Sequence, residues 1–160
     1  MARKPVFFSF HYDKDVMRVQ LIRNIGALEG NTPVSANEWE TVKRGGESSI
    51  KKWIDENFKY KQCVIVLIGE ETHSRPWVQY EIKKAWNEKK PIFGIYIHNI
   101  KCPRYGISKK GKNPFEKFNL KNGSQLSSLV NCYDPPSSDA YGHVSRNIDA
   151  WVNTAITSRK

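Results

Sequence analysis

The chain has 160 residues, enough for one domain around one core, and its 39% apolar and 12% aromatic content excludes wholesale disorder. No apolar run approaches the ~20 residues that cross a bilayer, and the stretch 6–10 is too short for a signal-peptide core. The net charge of +10 gathers partly in 83–90 and 101–121, which reads either as a solvated surface or as attraction to polyanions such as nucleic acid.

Residues 5–10 (Pro-Val-Phe-Phe-Ser-Phe) form an aromatic and β-branched run that predicts a buried strand. Asp13 or Asp15 is placed to cap a helix whose apolar side is Val16, Val19, Ile22 and Ile25. Gly26 and Gly30 mark its end and the turn beyond, and a short second strand is expected at 33–36. The polar run 37–46 reads as an exposed loop, and 47–59 regains helical spacing through Ile50, Trp53, Ile54 and Phe58. Residues 63–68 (Cys-Val-Ile-Val-Leu-Ile) lack polar alternation, so both faces of that strand should be covered. A helix is predicted from Ser74 and Pro76 to about Lys89.

Another apolar strand follows at 92–97, and then the pattern dissolves into a Lys-, Gly- and Pro-rich insertion over 98–123. Residues 126–133 are expected to supply a last strand, and 139–157 a closing helix with Val144, Ile148, Trp151 and Ile156 inward. Strands alternating with helices predict an α/β, flavodoxin-like fold: a five-stranded, mainly parallel sheet in the order 2-1-3-4-5, helices on both faces, in a single domain spanning 1–160. Three cysteines (Cys63, Cys102, Cys132) with no C-x-x-C spacing support neither a disulfide framework nor a zinc site, and the cytoplasm is the simplest compartment.

Ligands of such sheets collect beyond the carboxyl ends of the strands, where 9–13, 37–46 and 69–77 should converge. At about 100° per residue, Val78, Ile82, Ala85 and Trp86 form the buried stripe of the third helix, with Trp77, Glu81 and Glu88 on its flank. A carboxylate beside an aromatic plane at this edge can hold a sugar hydroxyl while the ring packs a heterocycle. Spacing alone favours the plainer reading, a surface glutamate paired with Lys84 beside a half-buried tryptophan. The four histidines are scattered, and the sequence holds no H-E-x-x-H, P-loop, G-x-G-x-x-G or G-x-S-x-G pattern.

Residues 6–11 (Val-Phe-Phe-Ser-Phe-His), 63–69 and 74–82 (Ser-Arg-Pro-Trp-Val-Gln-Tyr-Glu-Ile) resemble a TIR domain, and more closely the TIR-like branch of the Thoeris anti-phage system, the ThsB family. W-x-x-x-E, here Trp77 to Glu81, is the most specific piece. The resemblance implies cleavage of the nicotinamide–ribose bond of NAD, with Glu81 as the catalytic glutamate and Trp77 lining the nicotinamide side. It implies that Phe10 and His11 in the first loop, and Trp39 in the second, contact NAD, although arginine is common where His11 stands. NAD is then a substrate and no cofactor or metal is required. The product is an ADP-ribose-derived signal, commonly cyclic, made after a phage-derived trigger and read by an effector protein; self-association is a further family expectation. The competing reading is a non-catalytic TIR-like module that only binds other proteins.

Overall fold

The computed structural model describes residues 4–25, 28–30, 42–102 and 106–158. Strands β1 (Lys4–Ser9), β2 (Leu28–Gly30), β3 (Cys63–Ile68), β4 (Ile92–Tyr96) and β5 (Cys132–Tyr133) alternate with helices α1 (Tyr12–Arg23), α2 (Gly46–Phe58), α3 (Pro76–Asn87) and α4 (Ala140–Ser158). The strands hydrogen-bond in the order β2-β1-β3-β4-β5, and every pairing is parallel. This is the α/β architecture, a parallel sheet between helices, that the alternation predicts.

Period-two alternation divides the core into two halves. Val6, Phe8, Ile65, Leu67, Phe93 and Ile95 point to one face, where Val19 and Ile22 of α1 and Val144, Ile148 and Val152 of α4 cover them. Phe7, Val64, Val66, Ile68 and Ile92 point to the other, against Ile50, Ile54 and Phe58 of α2 and Val78, Ile82 and Ala85 of α3. All six residues of β3 are buried, as expected for a strand with helices above and below it.

Several local expectations need correction. The strand beside β1 is Leu28–Gly30, in the stretch read as helix end and turn; the predicted strand at 33–36 lies outside the described residues. The N-cap of α1 is His11, not an aspartate, and Asp15 lies inside the helix, 2% exposed. The third helix starts at Pro76 and not at Ser74, which belongs to a 3-10 turn (Thr72–Ser74). Only Cys132 and Tyr133 of the predicted last strand pair with β4, while Leu126–Ser128 forms a 3-10 turn.

The insertion is not a loose excursion. Phe115, in the 3-10 turn Pro114–Lys117, is fully buried and joins Leu126 and Val130 in the α2–α3 half of the core. A second anchor is Arg18 of α1, 3% exposed, whose Nε donates to the Ile100 carbonyl (2.9 Å) and whose Nη2 donates to the Gly106 carbonyl (2.8 Å). A guanidinium out of water must place its N–H groups on acceptors, and these two carbonyls tie the insertion to α1.

Candidate active site

The alternation that sends Phe7 toward α2 and α3 sends Ser9, two residues on, to the same side at the carboxyl end of β1. Ser9 is 1% exposed, and its hydroxyl donates to Oε1 of Glu81 at 2.7 Å. Helix α3 delivers that carboxylate. Pro76 is tolerated in its first turn, where a missing N–H removes no helical bond, and Val78, Ile82 and Ala85 press the helix onto the sheet. Glu81, beside Ile82, is therefore carried inward and is only 7% exposed.

Burial pushes the Glu81 carboxyl up from 4.5 to about 8, with the Ser9 hydroxyl pulling part of the way back. Withdrawing a carboxylate from water penalises its charged form, whereas a donor aimed at it favours that form. At pH 7 the Glu81 carboxyl is therefore mostly protonated. A cation placed against it would draw it toward the charged form.

The loop from β3 to α3 is held from within. The Gly69 amide donates to Thr72 Oγ1 (2.8 Å), and Thr72 is fully buried. Gly69 is required here by close approach: a Cβ would stand 2.2 Å from Asp15 Oδ2. Gly111 of the insertion meets the same loop, since its Cβ would lie 2.0 Å from the Gly69 carbonyl oxygen. Three segments far apart in sequence thus meet at the carboxyl end of β3. His11 Nε2 lies 3.7 Å from Glu71 Oε2, which joins the first loop to the third.

The surface reading of Glu81 is overturned. Lys84 is 3.1 Å from Asp55 and also bonded to Glu88, leaving Glu81 facing Ser9. The buried stripe of α3 is Val78, Glu81, Ile82 and Ala85, with Trp86 only partly covered. Trp77, one turn before Glu81, is partly buried on the α2–α3 half of the core and meets Tyr80 edge-on at 5.4 Å. Phe10 packs on the opposite half of the core, so the two aromatic candidates belong to different clusters. Trp39 lies outside the described residues. Ser9 stood within the predicted strand 5–10 and at the head of the loop 9–13 but was given no role; strand alternation was the signal that could have found one.

Burial lowers the affinity of His73 for protons, helped by the charges of Lys117 and Lys112, and burial does the same to His98. Among the described residues, no three His, Cys, Asp or Glu side chains stand together as metal ligands would. The cysteines are free, and burial pushes the Cys63 and Cys132 thiols up to about 12. Cavities of about 340 Å³, between Leu21, Ile100 and Tyr141, and about 320 Å³, between Trp86, Phe93 and Leu129, are not lined by Glu81.

Residues 7–101 match the family described as "Thoeris protein ThsB, TIR-like domain". A relative from Bacillus cereus (strain MSX-D12), named "Putative cyclic ADP-D-ribose synthase ThsB1", is 37% identical over 132 residues, covering 77% of this chain and 68% of the relative. The matched family segment runs from β1 to just past β4 and includes both Ser9 and Glu81.

Proposed function

The chain belongs to the Thoeris ThsB family of TIR-like proteins, and on that premise we propose that it cleaves NAD in antiviral defence with Glu81 as its catalytic carboxylate. The observation that carries the proposal is the bond from Ser9 to a glutamate 7% exposed, at the carboxyl edge of the sheet. A carboxylate held in a protected site, away from competing charges, is suited to meet a developing positive charge. The relative's name supports a cyclic ADP-ribose type of product.

In this reading NAD is substrate and not cofactor. The nicotinamide ring carries positive charge, so the bound dinucleotide draws Glu81 toward its ionised form. As the bond between ribose C1′ and the nicotinamide nitrogen breaks, its electron pair leaves with neutral nicotinamide. The positive charge then passes to the ribose, where the Glu81 carboxylate stabilises it. A second nucleophile of the same ADP-ribosyl group captures C1′ and gives up its proton, closing the ring; water in its place would give ADP-ribose. Cyclisation requires that the nucleophile be held near C1′ and solvent excluded.

Trp77 lines the nicotinamide side in this scheme, and Phe10, His11 and Trp39 contact the dinucleotide. The product activates an effector protein, and a phage-derived trigger switches the enzyme on. The same family reading makes the sheet a flavodoxin-like, TIR-like sandwich of order 2-1-3-4-5, which its four parallel pairings support.

The test is nicotinamide release from NAD by purified protein supplemented with phage-infected lysate, comparing wild type with Glu81→Gln. Release by wild type at least 100-fold faster than by the variant is expected, on the order of removing one main electrostatic group from an active site. Intact NAD with activated wild type would leave the interaction-module reading in its place.

A further inference from the structure

Every carboxylate has two oxygens, and in Glu81 one of them is already committed. Oε1 accepts the Ser9 hydroxyl at 2.7 Å, and the pair bridges β1 and α3, elements 72 residues apart in sequence. Both ends are rigidly held. Ser9 closes a strand paired with β3, its register partner being Val66, and Glu81 is flanked by the fully buried Ile82. A hydrogen bond between two such residues fixes the side-chain torsions of the acid as packing alone would not.

We propose that Ser9 is the positioning residue of the reaction: by holding Oε1 it fixes the glutamate's rotamer and leaves Oε2 as the oxygen that meets the ribose. This rests on the reading of Glu81 as the catalytic carboxylate. The bond also acts on charge. A hydroxyl can turn its proton fully toward an ionised oxygen, so Ser9 favours the form of Glu81 that the reaction uses, against the burial that disfavours it. Titratable groups on the elements around the pair include His11 after β1, Glu70, Glu71, His73 and Arg75 before α3, Tyr80, Lys83 and Lys84 on α3, and Lys51 and Asp55 on α2, with Lys84 itself tied to Asp55 and Glu88. Burial and Ser9, and none of these, account for the displacement of the Glu81 carboxyl.

Two variants separate positioning from plain packing. Ser9→Ala removes the donor and hardly changes volume, while Ser9→Thr keeps a hydroxyl on a β-branched residue suited to a strand. Two readouts are taken: nicotinamide release from NAD across pH 6 to 9 under activating conditions, and the side-chain carboxyl titration of Glu81 by carbon NMR, assigned with Glu81→Gln. For Ser9→Ala we expect kcat to fall about 10- to 100-fold with KM changed by less than about threefold, the loss typical of a hydrogen bond to a charged group. Its pH profile and the Glu81 titration should both move up by about one pH unit, and Ser9→Thr should recover most of both.

The outcomes are distinguishable. If wild type never releases nicotinamide, the NAD-cleaving reading fails and the titration alone judges Ser9; a Glu81 signal unmoved in Ser9→Ala then overturns the proposal. If wild type is active and Ser9→Ala keeps its kcat, pH profile and titration, Ser9 is not the positioning residue although the enzyme reading stands. A loss of kcat that Ser9→Thr does not relieve, with the Glu81 titration unmoved, likewise overturns it in favour of a packing role.

Discussion

Replacing Glu81 by glutamine should make the resting protein more stable, and increasingly so as pH rises. In the unfolded chain the carboxyl ionises near 4.5; in the fold it does so near 8. Below pH 4.5 both states hold the proton and Glu81 costs nothing. Between the two values the folded state holds a proton that the unfolded state has lost, so each pH unit removes about 1.4 kcal/mol of stability. Above pH 8 the loss levels off at up to ~5 kcal/mol. Because the folded value is raised, the stability is fully present at low pH and is lost as pH climbs through the folded value. Glutamine has no proton to lose, and its carbonyl oxygen can still accept the Ser9 hydroxyl. Urea denaturation followed by circular dichroism at pH 5, 7 and 9 measures the difference, in which all other titrating groups cancel. A gap that widens by about 3–4 kcal/mol between pH 5 and 9 is expected. Parallel curves, or a gap that closes with pH, would refute the burial of an ionisable Glu81. Such a trade of stability for a charged group in an interior is what a functional site imposes.

The other predictions concern the frame that holds the site. Phe115→Ala, which empties a fully buried position in the insertion, should cost about 3–5 kcal/mol in urea denaturation; a cost below about 1 kcal/mol would mean that the insertion is not part of the core. Arg18→Ala strands the Ile100 carbonyl and takes one of two donors from the Gly106 carbonyl, which keeps the Cys102 amide. It should cost about 2–4 kcal/mol, with faster amide exchange at Cys102 and Gly106 as the local signature. Lys89 ends α3 at φ 59°, and its amide and that of Lys90 bond back to Trp86 and Ala85. Lys89→Gly relieves that left-handed strain and should add up to ~1 kcal/mol, raising Tm by about 2–4 °C.

Much of the frame was legible because its signals are local. The unbroken apolar run at 63–68 can only be a strand covered on both sides, and Ile50, Ile54 and Phe58 recur at helical spacing on the buried face of α2. The insertion was unreadable for the opposite reason. Its lysines face water while a single apolar anchor, Phe115, fixes it to the core, and an isolated anchor leaves no period to detect. Asp15 misled for a related reason: an aspartate near a helix start reads as its cap, whereas here it lies buried inside α1 against Gly69. At the site, W-x-x-x-E marked Glu81, but the wheel put it on a flank that spacing alone would sooner give to solvent. What settled its orientation was Ser9, which sequence reading left inside a strand and which chain topology brings to within 2.7 Å.

Glu81 is proposed to act on one bond, and separating binding from cleavage tests that most directly. NAD labelled in its nicotinamide ring is mixed with activated wild type or Glu81→Gln, and the label is followed after rapid gel filtration. Wild type should yield free labelled nicotinamide, while the variant should retain NAD or release it whole. Free nicotinamide from the variant at the wild-type rate would contradict the assignment of Glu81.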